Sequence, residues 1–164
     1  MRILVVEDEA LIAMMLVDSL ENGGHEVMGP ASTMAEALAL CDVLRPELAL
    51  LDIHLRDGSS GVDVARALFG RWGVLSIFAS GEMMEARRAK DVALGYIRKP
   101  YEVRTVLRSV EMARALMAGG TPGAVPRGFE LFSAAGYRRG TAPRAPVSAG
   151  RRGSPGGPPS GRRR

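Results

Sequence analysis

The chain has 164 residues, the length of one domain with room for a tail, and a formal net charge of +4. The charges are segregated: residues 1–118 carry 13 basic and 17 acidic side chains (net −4), whereas residues 119–164 carry nine Arg and one Glu (net +8). The lone Cys41 excludes an internal disulfide, no run reaches the ~18 apolar residues of a membrane span, and Ile3–Val6 is too short for a signal-peptide core. The expected location is therefore cytoplasmic, with no membrane partner.

Short apolar runs alternate with segments of helical period through residue 118. Ile3–Val6 predicts a buried strand, and Ala10–Leu20 predicts a helix stopped by Asn22-Gly23-Gly24. Glu26–Gly29 is a weaker run, as suits an edge strand. Met34–Leu44 predicts a helix opened by Thr33 with Glu36 three residues on, a capping-box spacing, and ended by Arg45-Pro46. Leu48–Leu51 is a strand, Gly61–Phe69 a helix, Val74–Ala79 a strand, and Met83–Val92 a charged, Met-rich helix. Leu94–Ile97 is the fifth strand. Glu102–Met117 is the longest helix, with a broad apolar face from Val103 to Met117. Five βα units predict a doubly wound parallel sheet with helices on both faces and right-handed crossovers. In such sheets ligands bind at the carboxyl ends of the strands.

Residues 119–164 read differently. Gly fills 11 of these 46 positions and Pro seven, and apolar periodicity is absent. Such a segment buries too little surface to offset its conformational entropy, so it is expected to be a disordered basic tail. Gly128–Phe132 is its one apolar knot, with the potential for local docking. Its paired and tripled arginines give at most sequence-blind attraction to phosphates, and no helix-turn-helix or aromatic-interleaved pattern accompanies them. Nucleic-acid contact is left to the tail alone. Folding back on the acidic domain is opposed by screening of exposed charges beyond ~8 Å at physiological salt.

The strand ends carry the chemistry. The first strand runs into Glu7-Asp8 and the third into Asp52. If these strands are neighbours, three carboxylates converge, and at ~5 Å and an effective dielectric of ~20 each pair repels by roughly 3 kcal/mol. Protonation of one is an answer. A hard divalent cation is the simpler one, and Mg²⁺ suits one or two carboxylates, waters and phosphate oxygens. The fifth strand ends in Arg98-Lys99-Pro100, which aims an ammonium at the same edge, and the fourth ends in Phe78-Ala79-Ser80-Gly81, which supplies a hydroxyl. Asp52, a metal site, Lys99 and Ser80 together suit phosphoryl transfer to Asp52.

Glu7-Asp8, Asp52, Ser80 and Lys99-Pro100, in this order and spacing across residues 1–118, resemble the receiver domain of two-component response regulators. The resemblance implies a flavodoxin-like (βα)5 fold of strand order 2-1-3-4-5. It implies that Asp52 accepts phosphate from a histidine kinase or phosphotransfer protein, with Lys99 and Ser80 at the phosphoryl group. It implies Mg²⁺ on Glu7, Asp8, Asp52 and the backbone carbonyl of His54. Ser80 and Tyr96 become the switch residues, and the face of the fourth helix, fifth strand and fifth helix becomes the surface for a downstream protein. Phe78-Ala79-Ser80-Gly81 with Lys99-Pro100-Tyr101 is similar to a Phe-Ala-Thr-Gly subclass of stand-alone alphaproteobacterial receivers, with Ser in place of Thr and no Tyr in Glu82-Met83-Met84. The chain is then a phosphoacceptor signalling domain rather than a conventional enzyme. The same chemistry also fits a relay intermediate or phosphate sink. A basic-tailed nucleic-acid binder with a receiver-like globule is the rival from another class.

Plainer readings stand beside these. Ser80 alone fits a helix cap, Tyr96 a half-buried strand aromatic, and Asp57 the Asp57-Gly58 turn. His25 and His54 lack the companions that ring ligation needs. Met83 and Met84 fit gap filling, and Trp72 a helix end.

Overall fold

Side-chain alternation on each strand sorts the core into two layers. The computed structural model describes residues 1–132. The strands are β1 (Arg2–Val6), β2 (Glu26–Ala31), β3 (Leu48–Leu51), β4 (Leu75–Ser80), β5 (Ala93–Arg98) and β6 (Phe129–Leu131). The helices are α1 (Ala10–Asn22), α2 (Met34–Val43), α3 (Gly61–Trp72), α4 (Met83–Arg88) and α5 (Val103–Met117). The sheet order is β2-β1-β3-β4-β5-β6; the first five strands are parallel and β6 is antiparallel to β5. Ile3 and Val5 face the layer made with α1 and α5, whereas Leu4 and Val6 face that made with α2, α3 and α4. Strands β3 and β4 are buried throughout, as expected for central parallel strands.

The local signals work as their chemistry dictates. Thr33 Oγ1 accepts from the Glu36 N–H at 3.2 Å while Glu36 Oε2 accepts from the Ser32 N–H at 2.7 Å, so the box closes one residue earlier than the ideal. Ser60 Oγ accepts from the Val62 N–H and caps α3. Trp72 ends α3 under two guanidinium groups, those of Arg45 and Arg71, at 5.1 and 5.7 Å from the ring centre. Cys41 is buried, and burial pushes its thiol up to about 11, so it is inert at neutral pH. His25 sits between the start of β2 and α5, 3.5 Å from Glu111, and burial lowers its proton affinity. Among the described residues no helix is long and apolar enough to cross a membrane.

Three expectations change. β2 runs on to Ala31, through a register shift opposite Leu4–Val6. α4 stops at Arg88 rather than Val92. Two successive four-residue turns, Ala89 N–H to the Ala86 carbonyl and Val92 N–H to the Ala89 carbonyl, roll Ala89 and Val92 into the core instead. The largest change is at the presumed start of disorder: within residues 119–164, Phe129–Leu131 forms β6 against β5. The remainder of the predicted tail, residues 133–164, lies outside the described residues.

Candidate functional site

The strand order makes β1 and β3 neighbours, so Glu7, Asp8 and Asp52 meet at one end of the sheet. Each offers a carboxylate oxygen, and these oxygens lie within 4.8 Å of one another. Glu7 and Asp52 are buried and Asp8 is half-buried. β5 ends on the same edge and delivers Lys99, whose Nζ donates to Asp52 Oδ2 at 2.6 Å and to Glu7 Oε2 at 2.9 Å. Glu9 stands farther off, 3.9 Å from Nζ.

Burial raises the proton affinity of Glu7, and the Asp52 charge adds to this; the Lys99 hydrogen bond only partly offsets them. Burial alone would depress Lys99. Its bonds to Asp52 and Glu7 outweigh that and hold the ammonium above its ordinary range. The cluster is thus an ion triad with two anions and one cation. Its residual negative charge and oxygen-only donors fit a hard divalent ion.

Asp52 is held from behind. Its Oδ1 accepts from the Ile53 N–H at 2.6 Å and, at 3.4 Å, from the His54 N–H. Gly61 presses against its backbone: an added Cβ would fall 1.9 Å from the Asp52 carbonyl oxygen. Gly61→Ala must therefore shift the Asp52 backbone or tilt α3. It should destabilise the domain by about 1–3 kcal/mol, and a melting curve unchanged from the wild type would refute the contact.

On β4, Ser80 is buried and its Oγ accepts from the Glu82 N–H at 3.3 Å, a turn before α4; the N-cap of α4 is Glu82 and carries no side-chain cap bond, so Ser80 is not that helix's cap. Tyr96 is fully buried rather than half-buried. Its Oη donates to the Ser80 carbonyl at 2.8 Å, which ties β5 to the end of β4. The His54 ring is exposed, 3.8 Å from Glu82 Oε1, and its backbone bridges Ser60. Asp57 makes the expected turn, accepting from the N–H and hydroxyl of Ser59. Two neighbours were not foreseen. Arg56 donates to the Asp8 carbonyl at 3.0 Å. Burial pushes the Tyr101 phenol up to about 12, and its Oη lacks a hydrogen-bond partner among the described residues. Arg56 stands in a polar loop with no spacing signal, and only the Lys99-Pro100-Tyr101 string marks Tyr101.

The sequence pattern of the response regulator receiver domain matches residues 3–111. The chain belongs to the response regulator receiver family. Receivers are the phosphorylation-based signalling domains of two-component systems, and they bind Mg²⁺ at an acidic pocket of the kind formed here by Glu7, Asp8 and Asp52. Among similar proteins, the transcriptional regulatory protein PdtaR of Mycobacterium tuberculosis is 33% identical over 116 residues, covering 68% of this chain and 56% of that protein. The phyllosphere-induced regulator PhyR of Methylorubrum extorquens is 37% identical over 115 residues, covering 68% of this chain and 42% of that protein. The chain thus spans about half the length of these relatives. The receiver domain of Erythrobacter litoralis PhyR, solved by NMR, has a TM-score of 0.64 at 32% identity, over 76% of this chain and 95% of that one. A CheY-like receiver from Methanospirillum hungatei has a TM-score of 0.60 at 31% identity, over 67% and 90%.

Proposed function

We propose that this receiver works as a phosphorylation-switched response regulator whose phosphoacceptor is Asp52. The observation that supports it most is Lys99 Nζ bridging Asp52 Oδ2 and Glu7 Oε2 across a strand-end cleft. A carboxylate oxygen of Asp52 attacks the phosphorus of a phosphohistidine or acyl phosphate. The new P–O bond forms as the bond to the donor's nitrogen or oxygen breaks, and the leaving group departs on the opposite side. Lys99 shifts its donors from the carboxylate to the equatorial phosphoryl oxygens, and the Ser80 hydroxyl donates to another. Glu7, Asp8, Asp52 and the His54 carbonyl would hold Mg²⁺, which when bound neutralises charge developing on the phosphoryl group.

The donor is a sensor histidine kinase or phosphotransfer protein. Ser80 and Tyr96 carry the change outward, because the Tyr96 hydroxyl is already bonded to the Ser80 carbonyl. The face of α4, β5 and α5 is the surface for a downstream protein. Onward transfer as a relay or sink uses the same site chemistry and differs only in the lifetime of the aspartyl phosphate. The resemblance to the Phe-Ala-Thr-Gly subclass, with Ser80 in the hydroxyl position, supports output through a protein partner.

The purified chain should gain an alkali-labile phosphoryl group from acetyl phosphate in the presence of Mg²⁺, and lose that ability on addition of a chelator. Intact-protein mass spectrometry reads both. Equal labelling with and without the metal would overturn the cation's part in the reading.

A further inference from the structure

Residues 128–132 do more than extend the sheet. Together with Arg127 they contact all three elements of the face just proposed for output. Along β5, the Arg98 N–H donates to the Gly128 carbonyl at 3.0 Å and the Phe132 N–H to the Leu94 carbonyl at 2.9 Å. From α4, Arg87 forms a two-pronged pair with Glu130: Nε to Oε1 and Nη2 to Oε2, both at 2.8 Å. From α5, Thr105 Oγ1 donates to the Arg127 carbonyl at 3.2 Å. Phe129 is buried in the layer shared with α5, and Phe132 in the layer shared with α4 and Tyr96.

Gly95 shows that the fit is specific. A Cβ there would fall 2.3 and 2.5 Å from two ring carbons of Phe129 and 2.6 Å from the Glu130 carbonyl oxygen. Its three nearest neighbours all belong to β6, so the bare α-carbon serves as the seat of an aromatic ring. A sheet edge with a main-chain ladder, a notch for a ring and a guanidinium fork for a carboxylate has what strand addition requires.

We propose that residues 128–132 are a ligand held in cis on the α4–β5–α5 face, and that they compete there with the downstream protein. The competitor carries an extended segment of the same chemistry, an aromatic residue followed by a carboxylate. This rests on the reading of that face as the output surface. The eleven residues that join α5 to β6 keep the segment at high local concentration, so it prevails until it is lifted or outcompeted.

The probe is a fluorescent peptide of residues 126–132 added to the full chain, read by anisotropy, with amide hydrogen exchange at Arg98 and Phe132. Phe129→Ala and, separately, Glu130→Arg weaken the cis strand without altering the β5 seat. Each should raise exchange at both amides and bind the peptide at least about tenfold more tightly than the wild type. Adding Gly95→Ala to either should abolish peptide binding. The double variant Arg87→Glu with Glu130→Arg should restore protection. Equal peptide affinity in wild type and variants, unchanged amide exchange, or binding that survives Gly95→Ala would each overturn the proposal. None of these measurements involves Asp52. A failed phosphorylation assay leaves them interpretable, and a failed peptide assay leaves phosphoryl acceptance standing.

Discussion

Asp52→Asn will lose phosphoryl incorporation from acetyl phosphate by on the order of 10²-fold or more, while the domain stays folded. Asparagine matches aspartate in shape, and its oxygen still accepts from the Ile53 and His54 N–H groups. What disappears is the charge of the proposed nucleophile and one of the two hydrogen-bond partners of Lys99. The loss of charge also removes a repulsion that raises the proton affinity of Glu7, so the melting temperature should hold or rise. Time courses of incorporation by mass spectrometry, beside thermal melts, separate the two effects. Labelling at the wild-type rate would assign the phosphoacceptor elsewhere.

Lys99→Met should damage stability and chemistry together. Methionine fills much of the lysine stem's volume but leaves Glu7 and Asp52 facing each other without an internal cation. Leaving buried charge without its partner costs about 3–5 kcal/mol. The sign of the pH dependence follows from Glu7, whose proton affinity is already raised above the ordinary 4.5. In the variant a carboxylate binds its proton more tightly when folded than when unfolded. The penalty is therefore greatest at neutral pH and eases as pH falls toward 4.5. Mg²⁺ should recover part of the lost stability by taking the lysine's place between the carboxylates. Urea midpoints at pH 7.5 and 5, each with and without Mg²⁺, test this; a loss independent of both pH and metal would point to simple core damage.

The sequence conveys the site better than the strand boundaries. Glu7, Asp8, Asp52, Ser80 and Lys99 each follow a short apolar run, and parallel strand order alone then brings their backbones to one edge. Tyr96 was legible as a strand aromatic, but its bond to the Ser80 carbonyl depends on the β4–β5 register, which no local pattern specifies. The end of α4 was misread because Ala89 and Val92 suit a helix and a tight turn equally; burial decides between them. β6 was legible only as an apolar knot. Three residues are too few to display alternation, and Gly95 discloses its purpose only once Phe129 rests on it.

The triad also has a consequence for the order of synthesis. Asp52 and Lys99 are 47 residues apart, so at about 5–20 residues per second the ribosome makes the anionic half of the cleft roughly 2–10 s before its cation. During that interval the nascent β1 and β3 ends have no lysine to neutralise them. Pairing of those two strand ends is therefore opposed by like charge until β5 brings the lysine to the same edge.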